Sequence, residues 1–323
     1  DLEQWASMWV FAQALFLATS AAIDVTCVDE YDSEQLTMAV DAALMELHGS
    51  SWFHQLRTTT GYMNALNVGT CTPDSTMWQY PAEDQACGLL KRVLDSGELK
   101  VAGVKWSGAS ADYLTDELNP TGFWPQMMMD IAAKMSAHYG KTISVKRVYY
   151  PNSVLVNVEV AKGEEVDMSE PYYYLGGFHQ GDPRIEVLSF SCVTSGIASK
   201  FFTKAGSSIT STDLLYEALV AGPNRAVGFI GEGNYNSVSH LLPDSTTPSF
   251  VTSSDDIEAN VLSGALVAGY LSEGEANATL FQTFDTGIIS PRVALFRKPK
   301  KTCTATDAPS PPPAPLAPAV TLV

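Results

Sequence analysis

The chain has 323 residues, 46% of them hydrophobic and 17% charged, with a formal net charge of −17 and a pI near 4.6. That length and apolar share suit two compact lobes, each with its own core, and exclude a disordered chain. The acidity argues against nucleic acid and against an anionic membrane surface, because neither offers such a protein a favourable long-range field.

Met8 to Ala22 is an apolar run that ends in Ser20-Ala21-Ala22. It is expected to be the signal peptide of a secreted protein, although no basic segment precedes it; a buried helix of a longer precursor is the alternative. Leu36, Val40, Leu44 and Leu47 recur at helical spacing within residues 33–57, after Ser33 as a cap and before a Gly49 and Trp52-Phe53 turn. A short helix through Leu89, Leu90, Val93 and Leu94 is expected to end at Gly97, and Leu99 to Val104 reads as the first strand of a sheet. A helix from Met127 to His138, a strand from Ile143 to Val148 and a helix from Val154 to Ala161 follow. Strands alternating with helices point to a mostly parallel sheet.

Ser195 to Phe202 reads as a strand, Thr212 opens a helix, and Ala226 to Ile230 is a short buried strand running into Gly231-Glu232-Gly233-Asn234. Glycines between a strand and a helix let backbone amides approach a ligand, but the third glycine of a dinucleotide fingerprint is absent. Asp255 to Leu262 is an expected helix, and the chain beyond Lys300 turns basic and then Pro/Ala-rich, a solvated tail. Nothing between Ala205 and Ser249 is long and apolar enough for a membrane span, which disfavours an ion-channel receptor.

The five cysteines form no Cys-x-x-Cys pair, so no metal site is expected, and no cofactor is indicated. Cys71 and Cys87 flank a polar loop and are the preferred disulfide, with Cys27 to Cys303 as a second pairing and Cys192 left as a buried thiol; five reduced thiols in a cytosolic protein are the alternative. Asn277-Ala278-Thr279 is a glycosylation sequon.

Arg184 stands ahead of a Val-Leu-Ser-Phe strand and is followed six and seven residues later by Phe190 and Ser191. This spacing resembles the hinge region of type 2 periplasmic or extracellular solute-binding proteins, the amino-acid-binding-like family. Asp95 to Val101 resembles the entry to that family's first lobe, Ser263 to Tyr270 one of its strands with Val267 in the place of an aspartate, and Gly287 to Lys298 its second crossover strand. The helix at residues 33–57 is similar to the one that normally closes the family's C-terminus, which implies a circular permutation or a unit cut from a tandem array; a generic helical extension is the alternative.

The resemblance implies an α/β, two-lobe periplasmic-binding-protein-like fold with two crossover strands and a helical N-terminal extension. Its boundaries are residues 1–22 for the leader, 23–97 for the extension, 98–194 for lobe 1, 195–298 for the crossover strands and lobe 2, and 299–323 for the tail. It further implies reversible capture of a small polar, amino-acid-like or carboxylate ligand, outside the cell, by a monomer or tandem array serving a membrane transporter or receptor. Arg184 would clamp a carboxylate with its planar fork, and Trp106 would pack on the ligand's apolar part. Ser107 and Asn234 would donate or accept hydrogen bonds, and Glu232 or Glu273 would hold a cationic group.

Two departures weaken amino-acid specificity. Gly181 and His179 stand where the family has hydroxyls, and the interval from Asp167 to Arg184 is long. His179 with Glu232 or Glu273 is also the candidate acid/base pair of the rival reading, a dehydratase-like enzyme on the same fold. A degenerate structural or signalling module is the third reading. Arg184 itself has an ordinary alternative, an ion pair with Asp182 or Glu186 on a solvated edge.

Overall fold

The computed structural model describes residues 27, 29–68, 79–104, 119–174, 182–251, 253–271 and 276–299. Two helices come first, α1 (Glu34–His48) and α2 (Trp52–Thr60), and a short strand β1 (Ala65–Leu66) follows. The periodicity of residues 33–57 is therefore realised as two helices, and Trp52-Phe53 open the second one rather than forming a turn. The expected cap also differs. The Ser33 hydroxyl donates to the carbonyl of Arg297, and the N–H of Glu34 is taken by Asp32 Oδ1 at 2.9 Å.

The next stretch is α3 (Gly88–Ser96), β2 (Glu98–Val104), α4 (Phe123–Tyr139), β3 (Ser144–Tyr150), α5 (Ser153–Lys162), β4 (Met168–Ser169), β5 (Tyr173–Tyr174) and β6 (Leu188–Phe190). Among the described residues β3, β2 and β4 form a parallel sheet in that order, with Val101 beside both Arg147 and Met168. Leu36, Val40 and Leu44 of α1 are fully buried in one cluster with Leu89, Val93, Val101, Met127 and Val156. The first two helices thus supply a wall of this lobe's core, and burying such an apolar stripe is what makes a helix of ordinary propensity stable.

β7 (Ser195–Lys204) leaves that lobe. It is followed by α6 (Thr212–Ala221), β8 (Ala226–Ile230), α7 (Glu232–Val238), β9 (Thr247–Val251), α8 (Ser254–Ser263) and β10 (Ala268–Leu271). β11 (Phe281–Val293) returns, and β12 (Leu295–Arg297) closes on β6. The large sheet runs β5-β11-β7-β10-β8-β9 with β1 also on β7; β8 lies parallel to both of its neighbours, and β7 is antiparallel to β11, β10 and β1. Phe201 packs on one face with Leu215, Val227 and Tyr270, and Phe202 packs on the other with Ile257, Val261 and Phe281, as the period of two in a strand requires. Gly269 is needed here because a Cβ at this position would lie 2.3 Å from the Phe202 ring.

The two long strands are shared between the cores. Ile197 and Val293 belong to the first, and Phe201, Phe202, Phe281 and Phe284 to the second. Between them the β7–β11 ladder breaks: Asp285 pairs Lys200, Ile289 pairs Ala198, and Gly287 in the gap has φ +77°. The second crossover strand therefore starts at Phe281, six residues before its expected start at Gly287. That glycine marks a bulge inside the strand.

The cystine pattern corrects the expected one. Cys87 bonds Cys27, with Cα atoms 5.8 Å apart, so neither Cys71–Cys87 nor Cys27–Cys303 forms. Cys192, expected to be a free thiol, is disulfide-bonded as well. The reason is the docking of α1: it carries the leading segment across the start of α3, where the N–H of Leu89 donates to the carbonyl of Asp32 at 2.8 Å. The end of β12 meets the same place. Arg297 holds both carboxylate oxygens of Asp29, at 2.6 and 2.9 Å.

Candidate functional site

In a sheet of parallel strands the carboxyl ends share one edge, and crevices outside that edge hold ligands. In the first lobe β2 ends at Val104 and β3 at Tyr150, and a cavity of about 360 Å³ opens there, lined by Val104, Tyr149, Tyr150 and Pro151. The Tyr150 hydroxyl donates to Glu165 Oε2 at 2.9 Å, and burial together with that carboxylate pushes its phenol up. Tyr173 sits close by, its hydroxyl donating to the carbonyl of Ser153 at the start of α5. Beneath this edge the buried Arg147 reaches Glu170 Oε1 at 3.4 Å and the carbonyl of Pro125 at 2.8 Å.

Arg184 lies in a single 3-10 turn, Pro183–Glu186, ahead of the strand β6 as its sequence position implies. Asp182 begins that turn: its Oδ1 accepts the N–H of Arg184 at 2.8 Å. The same carboxylate receives the guanidinium, with Nε 3.0 and 2.9 Å from the two oxygens and Nη2 donating to Oδ2.

In the second lobe β8 ends at Ile230 and β9 at Val251, and the glycine after β8, with φ +77°, turns the chain into α7. Ile230 and Phe250 are 41% and 50% exposed, an apolar edge on which the Tyr235 ring packs 6.2 Å from that of Phe250. Glu232 is exposed on the first turn of α7. Asn234 turns inward, its amide donating to the carbonyl of Ile230 at 2.8 Å and holding the end of β8 in place.

Of the expected ligand-binding residues, Arg184 stands in the first lobe and Glu232 and Asn234 in the second. Trp106, Ser107, His179 and Glu273 lie outside the described residues. The Tyr149-Tyr150-Pro151 wall escaped the sequence reading, although two aromatics and a proline at the end of a strand are a visible signal. Asp182 was read there only as an ion-pair partner. Among the described residues no group of His, Cys, Asp or Glu could hold a metal, and no helix is long and apolar enough to cross a membrane.

Two α/β lobes joined by β7 and β11 define the type 2 solute-binding, or Venus-flytrap, fold. PfVFT1 of Plasmodium falciparum has a similar structure, with a TM-score of 0.64 and 19% identity over 85% of this chain and 100% of that one. The periplasmic VFT2 domain of BvgS from Bordetella pertussis aligns with a TM-score of 0.48 and 14% identity, over 65% of this chain and 84% of that one. A putative binding component of an ABC transporter from Wolinella succinogenes, complexed with lysine, gives 0.48 and 14% over 62% and 83%. No family model and no curated protein matches the sequence.

Proposed function

We propose that the chain reversibly captures a small polar ligand, amino-acid-like or a simple carboxylate, in the crevice between the lobes. The observation that carries this reading is the shared pair of crossover strands, whose ladder is interrupted at Gly287 between the two cores. At that break the Ser199 and Thr286 hydroxyls lie 2.7 Å apart, and Ser199 also donates to the carbonyl of Ile288 at 3.1 Å. Rigid lobes on an irregular two-strand joint are suited to hinge closure around a ligand. Arg184 is the candidate carboxylate clamp, and Tyr149 and Tyr150 are candidate apolar contacts. Trp106, Ser107, His179, Glu232, Asn234 and Glu273 complete the proposed set.

A thermal-shift screen against amino acids, small carboxylates and polyamines tests the reading. A ligand at a hundred times its Kd stabilises the native state by about 2.7 kcal/mol. That shift is expected to disappear in Arg184→Ala at the same ligand concentration. A shift unchanged by Arg184→Ala removes the arginine from the site, and no shift from any compound removes ligand capture.

The protein is further proposed to act outside the cell with a transporter or receptor. A disulfide at Cys27–Cys87 is in keeping with an oxidising compartment. Asn277 is exposed in a turn where its Oδ1 accepts the N–H of Thr279 at 3.0 Å. Phe281 just beyond pairs with Lys204, the end of β7 remote from the joint, so a glycan here stands away from the crevice. Secretion through a glycosylating host is expected to yield one glycan that Asn277→Gln and Thr279→Ala both eliminate, read by mass after enzymatic deglycosylation. A secreted protein without it would discard the site.

The α1–α2 pair is proposed to be the permuted closing element of the fold, or part of a tandem arrangement. It completes the first core, and Asp29 and Ser33 ahead of it bond Arg297 at the end of β12.

A further inference from the structure

The fork of Arg184 already holds a carboxylate, and that carboxylate belongs to the chain. Asp182 is 6% exposed and presents both oxygens to Arg184 Nε, at 3.0 and 2.9 Å, while Nη2 donates to Oδ2 and the backbone N–H of Arg184 donates to Oδ1 at 2.8 Å. This is the side-on bidentate arrangement by which an arginine recognises a ligand carboxylate. The two residues are separated only by Pro183, whose ring restricts the backbone, so the pair closes with little loss of chain entropy. An external carboxylate competes against a group tethered at high effective concentration.

We infer that Asp182 is an internal competitor for the Arg184 fork and sets how weakly the crevice takes carboxylates, an inference that rests on the reading of Arg184 as the ligand clamp. Two costs oppose an incoming anion. It must displace the tethered carboxylate, and it must then stand beside that carboxylate's negative charge. Both vanish when residue 182 is neutral. An asparagine there still offers an oxygen to the Arg184 N–H, so the 3-10 turn keeps its start.

The experiment is a calorimetric titration of the full chain with acetate, succinate and L-glutamate at fixed ionic strength, in wild type, Asp182→Asn, Arg184→Ala and the double variant. Asp182→Asn is expected to bind the carboxylates roughly two- to fivefold more tightly, the range open to a partly exposed charge pair. The gain is expected to vanish in the double variant. Circular dichroism and melting establish that each variant is folded, and Asp182→Ser serves as the second neutral side chain able to begin the turn. Equal affinity in wild type and both neutral variants overturns the inference, as does a gain that persists without Arg184. If wild type binds one of the probes and loses it in Arg184→Ala while Asp182→Asn is no tighter, ligand capture stands and this inference falls. If no probe binds wild type or either neutral variant, both fall.

Discussion

Asp167→Ala is expected to remove about 3–5 kcal/mol from the stability of the first lobe, the cost of breaking a buried ion pair from one side. Asp167 is 1% exposed and ties three elements together. Its Oδ1 accepts from Arg92 Nε at 2.9 Å and Nη2 at 2.6 Å, and its Oδ2 accepts the N–H of Lys100 at 2.6 Å. Arg92, from α3, also donates to the carbonyls of Gly163, Glu164 and Val166. Burial pushes the Asp167 carboxyl up, and Arg92 and the Lys100 N–H oppose that push. Without the carboxylate, a guanidinium and a strand N–H lose their acceptor where water replaces it poorly. Trp52 and Trp124 are buried in the first lobe's core, so urea unfolding followed by tryptophan fluorescence reports on its loss. Arg92→Lys is expected to lose part of the same energy, because an ammonium cannot reproduce the fork. An unchanged urea midpoint in Asp167→Ala would contradict the assignment.

Asp41 gives the second large effect, and it depends on pH. The residue sits on α1, 5% exposed, and accepts the N–H of Cys192 at 2.9 Å just before the chain enters β7. Burial raises its carboxyl to about 7, although the bond from Cys192 favours the charged form. Between the ordinary carboxylate range and about pH 7 the folded state holds a proton that the unfolded state has released, so unfolding free energy falls as pH rises. Each unit of pH across that window costs up to about 1.4 kcal/mol. Burial lowers the pKa of His48 on the same helix, which acts with the opposite sign: its contribution is lost as pH falls.

Comparing wild type with Asp41→Asn isolates the aspartate, since His48 is common to both. The variant is expected to match wild type near pH 4 and to exceed it by about 3–4 kcal/mol at pH 8, where wild type must bury a charge. Parallel stability curves from pH 4 to 8 would rule this out. The position gives the effect a functional side, because the group that loses its proton anchors the loop leading into a crossover strand.

Much of the architecture was legible because local patterns and tertiary packing agree. Apolar spacing in α1, α3 and α4, the left-handed glycine at Gly97, and the alternation of helices with strands place most of the expected elements within a few residues. The order of short motifs around Arg184 also located the first crossover strand. β11 was truncated in that reading because Gly287 resembles a strand start, and only pairing with β7 shows that it lies inside a bulge. The cystine pattern was out of reach for a similar reason. Sequence distance suggested Cys71 for Cys87, whereas docking α1 onto the first lobe brings up Cys27 across a separation of 60 residues.

What the amino-acid sequence determined by itself was most of the elements; the two-lobe class and the proposed clamp at Arg184 came from its resemblance to the solute-binding family. The elements follow from periodicity and turn residues, and the resemblance from local motif order, all of which act over a few residues. Tertiary structure alone decided which group meets which: Asp41 against Cys192, Arg92 against Asp167, Arg297 against Asp29, and Ser199 against Thr286 across the joint. These contacts join residues up to 268 positions apart. Their strength comes from burial and geometry, neither of which a linear pattern records.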